Sequence, residues 1–229
     1  MNAIDVSFED LRLAARTFPE QIALDLELVR LTDEPYEKFV ALINKSIDWI
    51  LGEMSKNKNH LHDLSEDQLT VLVVISLQSL SFSAYHGRNV GGSTDISIDG
   101  PNNTMWLGEA KKHTSYGKLF GGARQLIDRY NSGLPGQDRG ALIIYTSKPN
   151  ALRTMKRWRT FLRRAVPGLV ILEPANDDLD FYTEIRHAGS GRMLKIRHVP
   201  AVLHHEPTDV LPEPKAGDVA ALGDQGGKS

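Results

Sequence analysis

Between residues 8 and 54 the apolar positions recur at intervals of three and four. Leu11, Leu13, Ala14 and Phe18, then Ile22, Leu26 and Val29, then Phe39, Leu42, Ile43, Ile47, Trp49 and Ile50 keep this spacing. It predicts amphipathic helices, each with one face to bury. The polar, aperiodic run KNKNHLHD at 56–63 predicts a linker. Ser65 stands where a helix cap belongs, and EDQLTVLVVISLQSL after it sets Leu69, Leu72, Val73, Ser76 and Leu80 on one face. Apolar residues continue nearly all the way round this helix, so full burial is expected.

Beyond FSAYHGRN the period changes. Residues 90–99 and 105–112 read as two strands joined by the turn-forming GPNNT. GKLFGGARQLIDRY predicts a helix loosened near its start by Gly121 and Gly122. ALIIYTS, at 141–147, predicts a buried central strand. NALRTMKRWRTFLRRAV predicts a further helix stopped by Pro167 and Gly168, with Trp158 in the core. VILEP reads as a short strand, and FYTEIRHAGSGRMLKIRHVPAVLHH as a terminal hairpin turning at 188–191. This order predicts an α/β fold, a mixed central sheet flanked by helices, behind an N-terminal helical extension. The expected organisation is a helical segment over 1–60, an α/β domain over 61–206, and a disordered tail over 207–229, where Pro, Gly and acid leave little to bury.

Composition narrows the chemistry. A chain of 229 residues, 41% hydrophobic, suffices for one core with accessory material. The absence of cysteine excludes disulfides and thiolate sites and leaves oxygen or imidazole as metal donors. No apolar run approaches the roughly 20 residues that span a bilayer. MNAIDVSFEDLRL is acidic where a signal peptide would be basic. A soluble, cytoplasmic protein with no membrane partner is expected. The formal charge of -2 conceals an asymmetry: residues 1–60 hold eleven acids and seven bases, whereas 148–164 hold seven bases and no acid. The second stretch suits a polyanion and the first a protein partner.

The hairpin carries the unusual residues. If it is symmetric about Asn102, Asp99 opposes Met105 and Asp95 opposes Glu109. Opposed β-carbons lie about 4.5 to 5.5 Å apart, and like charges there repel. A shared divalent cation offsets that repulsion. Strand alternation brings Lys111 to the face of Glu109 and sends Ile96, Ile98, Trp106 and Ala110 to the other. Two acids and a lysine are the parts of metal-assisted phosphodiester hydrolysis, in which the ion polarises a phosphoryl oxygen and activates water. Beside two carboxylates Lys111 is expected to stay protonated and to stabilise developing charge.

Asp95, a gap of thirteen residues and then Glu109-Ala110-Lys111, with GGSTDI leading into LGEAKK, resembles the PD-(D/E)XK signature of the restriction-endonuclease-like nuclease superfamily. The resemblance spans 65–205 in element order. It implies a restriction-endonuclease-like core and a magnesium- or manganese-dependent deoxyribonuclease, endonuclease ahead of exonuclease, in restriction or anti-phage defence. The implied metal ligands are Asp95, Glu109, the Ala110 carbonyl and Glu66, the last from SEDQLTVL. Lys111 would be catalytic, and Gln125, in GGARQLIDRY, would position. Two features depart from the pattern: Thr94 replaces the proline before the first acid, and Tyr130 follows Gln125 by five positions and not four, so Tyr130 receives no role.

Lys112, Lys118, Arg153, Lys156, Arg157, Arg163 and Arg164 are the candidate phosphate contacts, for DNA ahead of RNA. A homodimer or a protein partner would dock through the N-terminal helices. His113 stays outside the expected site. His60, His62 and Asp63 read as solvated, and His204 and His205, adjacent on a strand, point to opposite faces. The alternative function is a catalytically silent nucleic-acid-binding or assembly module with a nuclease-like fold.

Overall fold

Two apolar clusters, one on each face of a seven-stranded mixed sheet, account for how the elements assemble. The computed structural model describes residues 7–32, 35–130, 132–172 and 179–207. Helices α1 (Phe8–Ala14), α2 (Phe18–Leu31) and α3 (Tyr36–Lys56) open the chain. Capping boxes start the first two, Ser7 with Asp10 and Thr17 with Glu20. A single helical turn, α4 (Lys58–Leu61), occupies the expected linker. Then α5 (Glu66–Ser79) begins at the Ser65 cap.

The sheet runs in the order β1 (Ser83–His86), β2 (Ile96–Asp99), β3 (Met105–Lys112), β4 (Arg139–Thr146), β7 (Met193–Val202), β6 (Phe181–Arg186), β5 (Val170–Leu172). The three strands β3, β4 and β7 are parallel neighbours, and the flanking pairs are antiparallel. Residues 141–146 of the expected strand therefore lie centrally, buried from both faces, and Ser147 falls just beyond its end.

On the first face, Ile22 and Leu26 of α2, Phe39, Ile43 and Ile47 of α3, and Leu69, Val73 and Leu77 of α5 pack with Ile96, Ile98, Trp106 and Ala110. The boundary expected near residue 60 is thus not a break in packing. Arg197 of β7 ties this layer further. Its Nε donates to Asp180 at 2.7 Å, Nη2 to Asp48 of α3 at 2.6 Å, and Nη1 to the Asn44 carbonyl at 3.2 Å. Arg197→Ala strands two acids and removes a packed side chain. The expected loss is about 2 to 4 kcal/mol in urea denaturation, the lower end reflecting the half-exposed Asp48.

The second face is covered by α6 (Tyr116–Gln125), which runs on into a π-turn at Leu126–Tyr130, and by α7 (Ala151–Ala165). Leu119, Ala123, Met155, Trp158 and Leu162 pack there over Leu107, Leu142, Ile144 and Ile196. Trp158 is fully buried, as expected, and its Nε1–H donates to His198 Nδ1 at 3.2 Å. Nδ1 is therefore an acceptor, and the neutral ring offers Nε2–H to Thr183 Oγ1 at 2.9 Å. Burial pushes the His198 pKa down to about 3.

Several expectations need correction. The strand expected over 90–99 is only Ile96–Asp99, because Gly91 and Gly92, at φ 63° and 151°, take the chain out of extended geometry. Strand β1 was not anticipated, since only Ala84 of its four residues is buried and no alternation marks it. Helix α5 is not enclosed all round: Leu72 and Ile75 are 38% and 52% exposed. Leu11 and Leu13 of α1 are exposed as well, despite their spacing. The end of VILEP and the tail beyond residue 207 lie outside the described residues. No helix among the described residues is long and apolar enough to cross a membrane.

Candidate active site

Strands β2 and β3 pair from Asp99 with Met105 to Ile96 with Gly108, so one further step sets Asp95 opposite Glu109. There β2 stops while β3 continues to Lys112, leaving the β3 edge without a strand partner on that side. Its amides still need acceptors. Ala110 N–H donates to Asp95 Oδ2 at 2.9 Å, and Lys112 N–H donates to Glu66 Oε2 at 2.5 Å. Within an extended strand the N–H and C=O of one residue point to the same side, so the Ala110 carbonyl shares this acid-lined edge.

Three carboxylates surround the Lys111 ammonium. Nζ lies 3.1 Å from Asp95 Oδ2 and 3.8 Å from Glu66 Oε1, and it forms an ion pair with Glu109 Oε1. Glu66 also meets Lys118 Nζ at 2.7 Å. Glu109 is 1% exposed, and neither of its oxygens has a hydrogen-bond donor; Lys111 approaches Oε1 as a charge, without hydrogen-bond geometry. Burial pushes the Glu109 carboxyl up to about 7, the Asp95 charge adds to that, and Lys111 offsets only part. For Lys111, burial works against the charged form, but Glu109 and Asp95 outweigh it and hold the ammonium pKa above its ordinary value.

The donor set suits a hard, oxygen-seeking cation: two buried carboxylate oxygens without donors, a facing carboxylate and an adjacent carbonyl. Among the described residues no three His, Asp or Glu side chains converge as a ready-made cage. The Lys111 ammonium occupies the centre of the three acids.

Gly122 of α6 lies against this cluster. A methyl group there would meet Lys111 Cγ at 2.9 Å, Leu142 Cδ1 at 3.1 Å and Glu109 Cγ at 3.2 Å. Read from sequence, the glycine pair loosens a helix; in the fold, Gly122 lets α6 close over the site, whereas Gly121 faces open space. An ordinary mid-helix Gly→Ala change stabilises by about 1 kcal/mol. Gly122→Ala is expected to destabilise by about 1 to 3 kcal/mol through overpacking, while Gly121→Ala follows the ordinary rule. Thermal denaturation of the two variants checks the opposite signs.

The remaining expected residues are distributed around this centre. Gln125 is one turn beyond Gly122 on α6, half-buried. Arg153, Lys156, Arg157, Arg163 and Arg164 are exposed on α7, opposite buried Met155, Trp158 and Leu162. Lys112 is oriented differently from the expected phosphate contact: its ammonium donates to the His62 and Leu64 carbonyls at 3.2 and 2.8 Å. His204 Nδ1 lies 3.1 Å from the Ser147 carbonyl, and His62 Nε2 lies 3.1 Å from Asp63. Gly122, Lys148 and the burial of His113 carry no signal in the sequence; His113 is 7% exposed although it follows β3 in polar sequence. Compared with known protein families, with characterised proteins and with solved structures, the chain shows no significant match.

Proposed function

We propose that this chain is a magnesium- or manganese-dependent nuclease of the PD-(D/E)XK type that hydrolyses phosphodiester bonds in DNA. The observation that carries the reading is Glu109, a fully buried carboxylate set opposite a second acid, whose carboxyl is pushed up by burial and by the Asp95 charge despite the Lys111 ion pair. Such a group is costly to ionise unless a cation completes it. Asp95, Glu109 and the Ala110 carbonyl would hold the ion. Bound there, it would supply polarisation of a phosphoryl oxygen and activation of water. Lys111, kept protonated by its neighbours, would neutralise charge building on the phosphoryl oxygens. Glu66, fixed by the Lys112 amide and Lys118, would hold the edge of the site in place, and Gln125 would position from α6. The exposed bases of α7 would track the phosphate backbone.

The experiment is cleavage of plasmid and linear DNA with magnesium and with chelator, comparing wild type with Asp95→Ala and Lys111→Ala. Loss of cleavage in both variants supports the proposal; equal cleavage by all three proteins removes it. Restriction or anti-phage defence is the proposed setting. The N-terminal helices, with Leu11 and Leu13 of α1 exposed, are the proposed surface for a second copy or a protein partner.

A second reading has its own supporting observation. The Lys111 ammonium already compensates the acids, as it would in a nucleic-acid-binding module without cleavage. That module would bind DNA with steep salt dependence, indifferent to chelator and to Lys111 substitution.

A further inference from the structure

We propose that the cleft at the C-terminal ends of β3 and β4 is a phosphate-binding pocket, filled by a phosphate group of a nucleic-acid strand. For the source of the phosphate this rests on the nuclease reading; the pocket itself does not need it. The cleft has a volume of about 430 Å³ and is lined by His113, Ser115, Lys148, Asn150, Arg153 and Arg157 among others, with no acidic side chain. Two helices of ten and fifteen residues, α6 and α7, begin at its wall. Their caps, Ser115 and Asn150, accept from the third amides, Lys118 N–H at 3.2 Å and Arg153 N–H at 2.9 Å. The first two amides of each helix have no acceptor within the helix, and the cap residue of each, Ser115 and Asn150, lines the cleft.

A second observation is independent of the helix ends. The His113 ring lines the cleft at 7% exposure, and its buried Nδ1 has no hydrogen-bond partner. Tyr116 packs against the ring with centroids 5.0 Å apart and the planes tilted by 42°. Lys148 reaches over the mouth, its Nζ 3.3 Å from the Thr114 carbonyl, and Arg153 and Arg157 stand exposed on α7. Three cations with no acid among the lining residues, beside two helix starts, suit a phosphate.

The place on the strand fits the source. His113 follows Lys111 by two residues on the same face, roughly 6.5 Å along β3. A phosphate in the cleft and one beside Lys111 would therefore be near neighbours on a single strand.

The test uses the full chain in chelator. Inorganic phosphate is titrated by calorimetry, and oligonucleotides with a 5′-phosphate or a 5′-hydroxyl by fluorescence anisotropy. Phosphate is expected to bind, and the Lys148→Ala/Arg153→Ala double variant, which changes only exposed side chains, to weaken it about ten- to a hundredfold. Lys56→Ala/Lys58→Ala removes the same charge elsewhere and is expected to leave binding unchanged. A roughly tenfold preference for the 5′-phosphorylated strand assigns the pocket to a terminal phosphate. Equal binding of both strands, with inorganic phosphate still competing, assigns it to an internal phosphodiester. Absence of phosphate binding at millimolar concentration, or equal loss in both double variants, overturns the proposal. Phosphate binding without any divalent-dependent cleavage by wild type would overturn the nuclease reading and leave the pocket; cleavage without phosphate binding would do the reverse.

Discussion

Glu109→Gln is expected to impair DNA cleavage severely and, in chelator at pH 8, to make the protein more stable. Ionising Glu109, whose carboxyl is raised to about 7, costs on the order of 3 kcal/mol relative to the unfolded chain. Glutamine removes that cost, in which the Lys111 attraction is already included, leaving a gain on the order of 3 kcal/mol. Cleavage should fall by about 10²- to 10³-fold, the scale for removing one preorganised electrostatic partner.

The pH dependence sharpens this result. A carboxyl whose folded pKa is raised binds more protons folded than unfolded, so its contribution to stability falls as pH rises from the ordinary glutamate value to about 7. His198, depressed to about 3, acts oppositely: its contribution is lost as pH falls through the ordinary histidine value. His113, lowered by burial and by Lys148, acts with His198, so between pH 8 and 5 the histidine losses oppose the Glu109 gain and the wild type should lose less stability than a variant without that gain. Glu109→Gln leaves the His198 term alone and should lose about 2 kcal/mol over the same interval, measured by urea denaturation. Metal affinity should weaken about tenfold per unit below pH 7, because the ion then displaces a proton from Glu109.

Lys111→Met is expected to affect activity as strongly, with the opposite sign on stability. It deletes the one ammonium that meets Asp95, Glu66 and Glu109 together. Cleavage should fall about 10²- to 10³-fold through loss of charge stabilisation. The metal-free fold should lose on the order of 3 kcal/mol at pH 8, because Asp95 and Glu109 then face each other without the ammonium, while Glu66 keeps Lys118. Magnesium should restore more of the melting temperature in this variant than in wild type, since the cation takes over the role of the ammonium. Thermal denaturation with and without magnesium reads this directly.

Much of the site was legible because strand periodicity is strict. Symmetry about Asn102 put Asp95 opposite Glu109, and the observed pairing of Asp99 with Met105 carries that register. Alternation likewise separated Lys111 and Glu109 from Ile96, Ile98, Trp106 and Ala110, which lie in the opposite core. Tertiary context hid the rest. Gly122 reads as a helix weakness until Glu109 and Lys111 are placed beneath it. Lys112 reads as a surface base until the Leu64 carbonyl comes within reach. The spacing in α2 and α3 marked a buried face without saying which partner buries it, so their union with α5 and the sheet was not visible. Leu72 and Ile75 show the converse error, since an apolar run does not reveal that its neighbours stop short of one side.

In the proposed site Asp95 and Glu109 would hold one divalent ion between them beside Lys111. Anomalous diffraction from a manganese-soaked crystal tests it most directly, paired with calorimetric titration of manganese into wild type and Glu109→Gln. The expected result is one anomalous peak in contact with both carboxylates and the Ala110 carbonyl, with binding lost in the variant. Manganese found elsewhere, or bound equally well by Glu109→Gln, would contradict it.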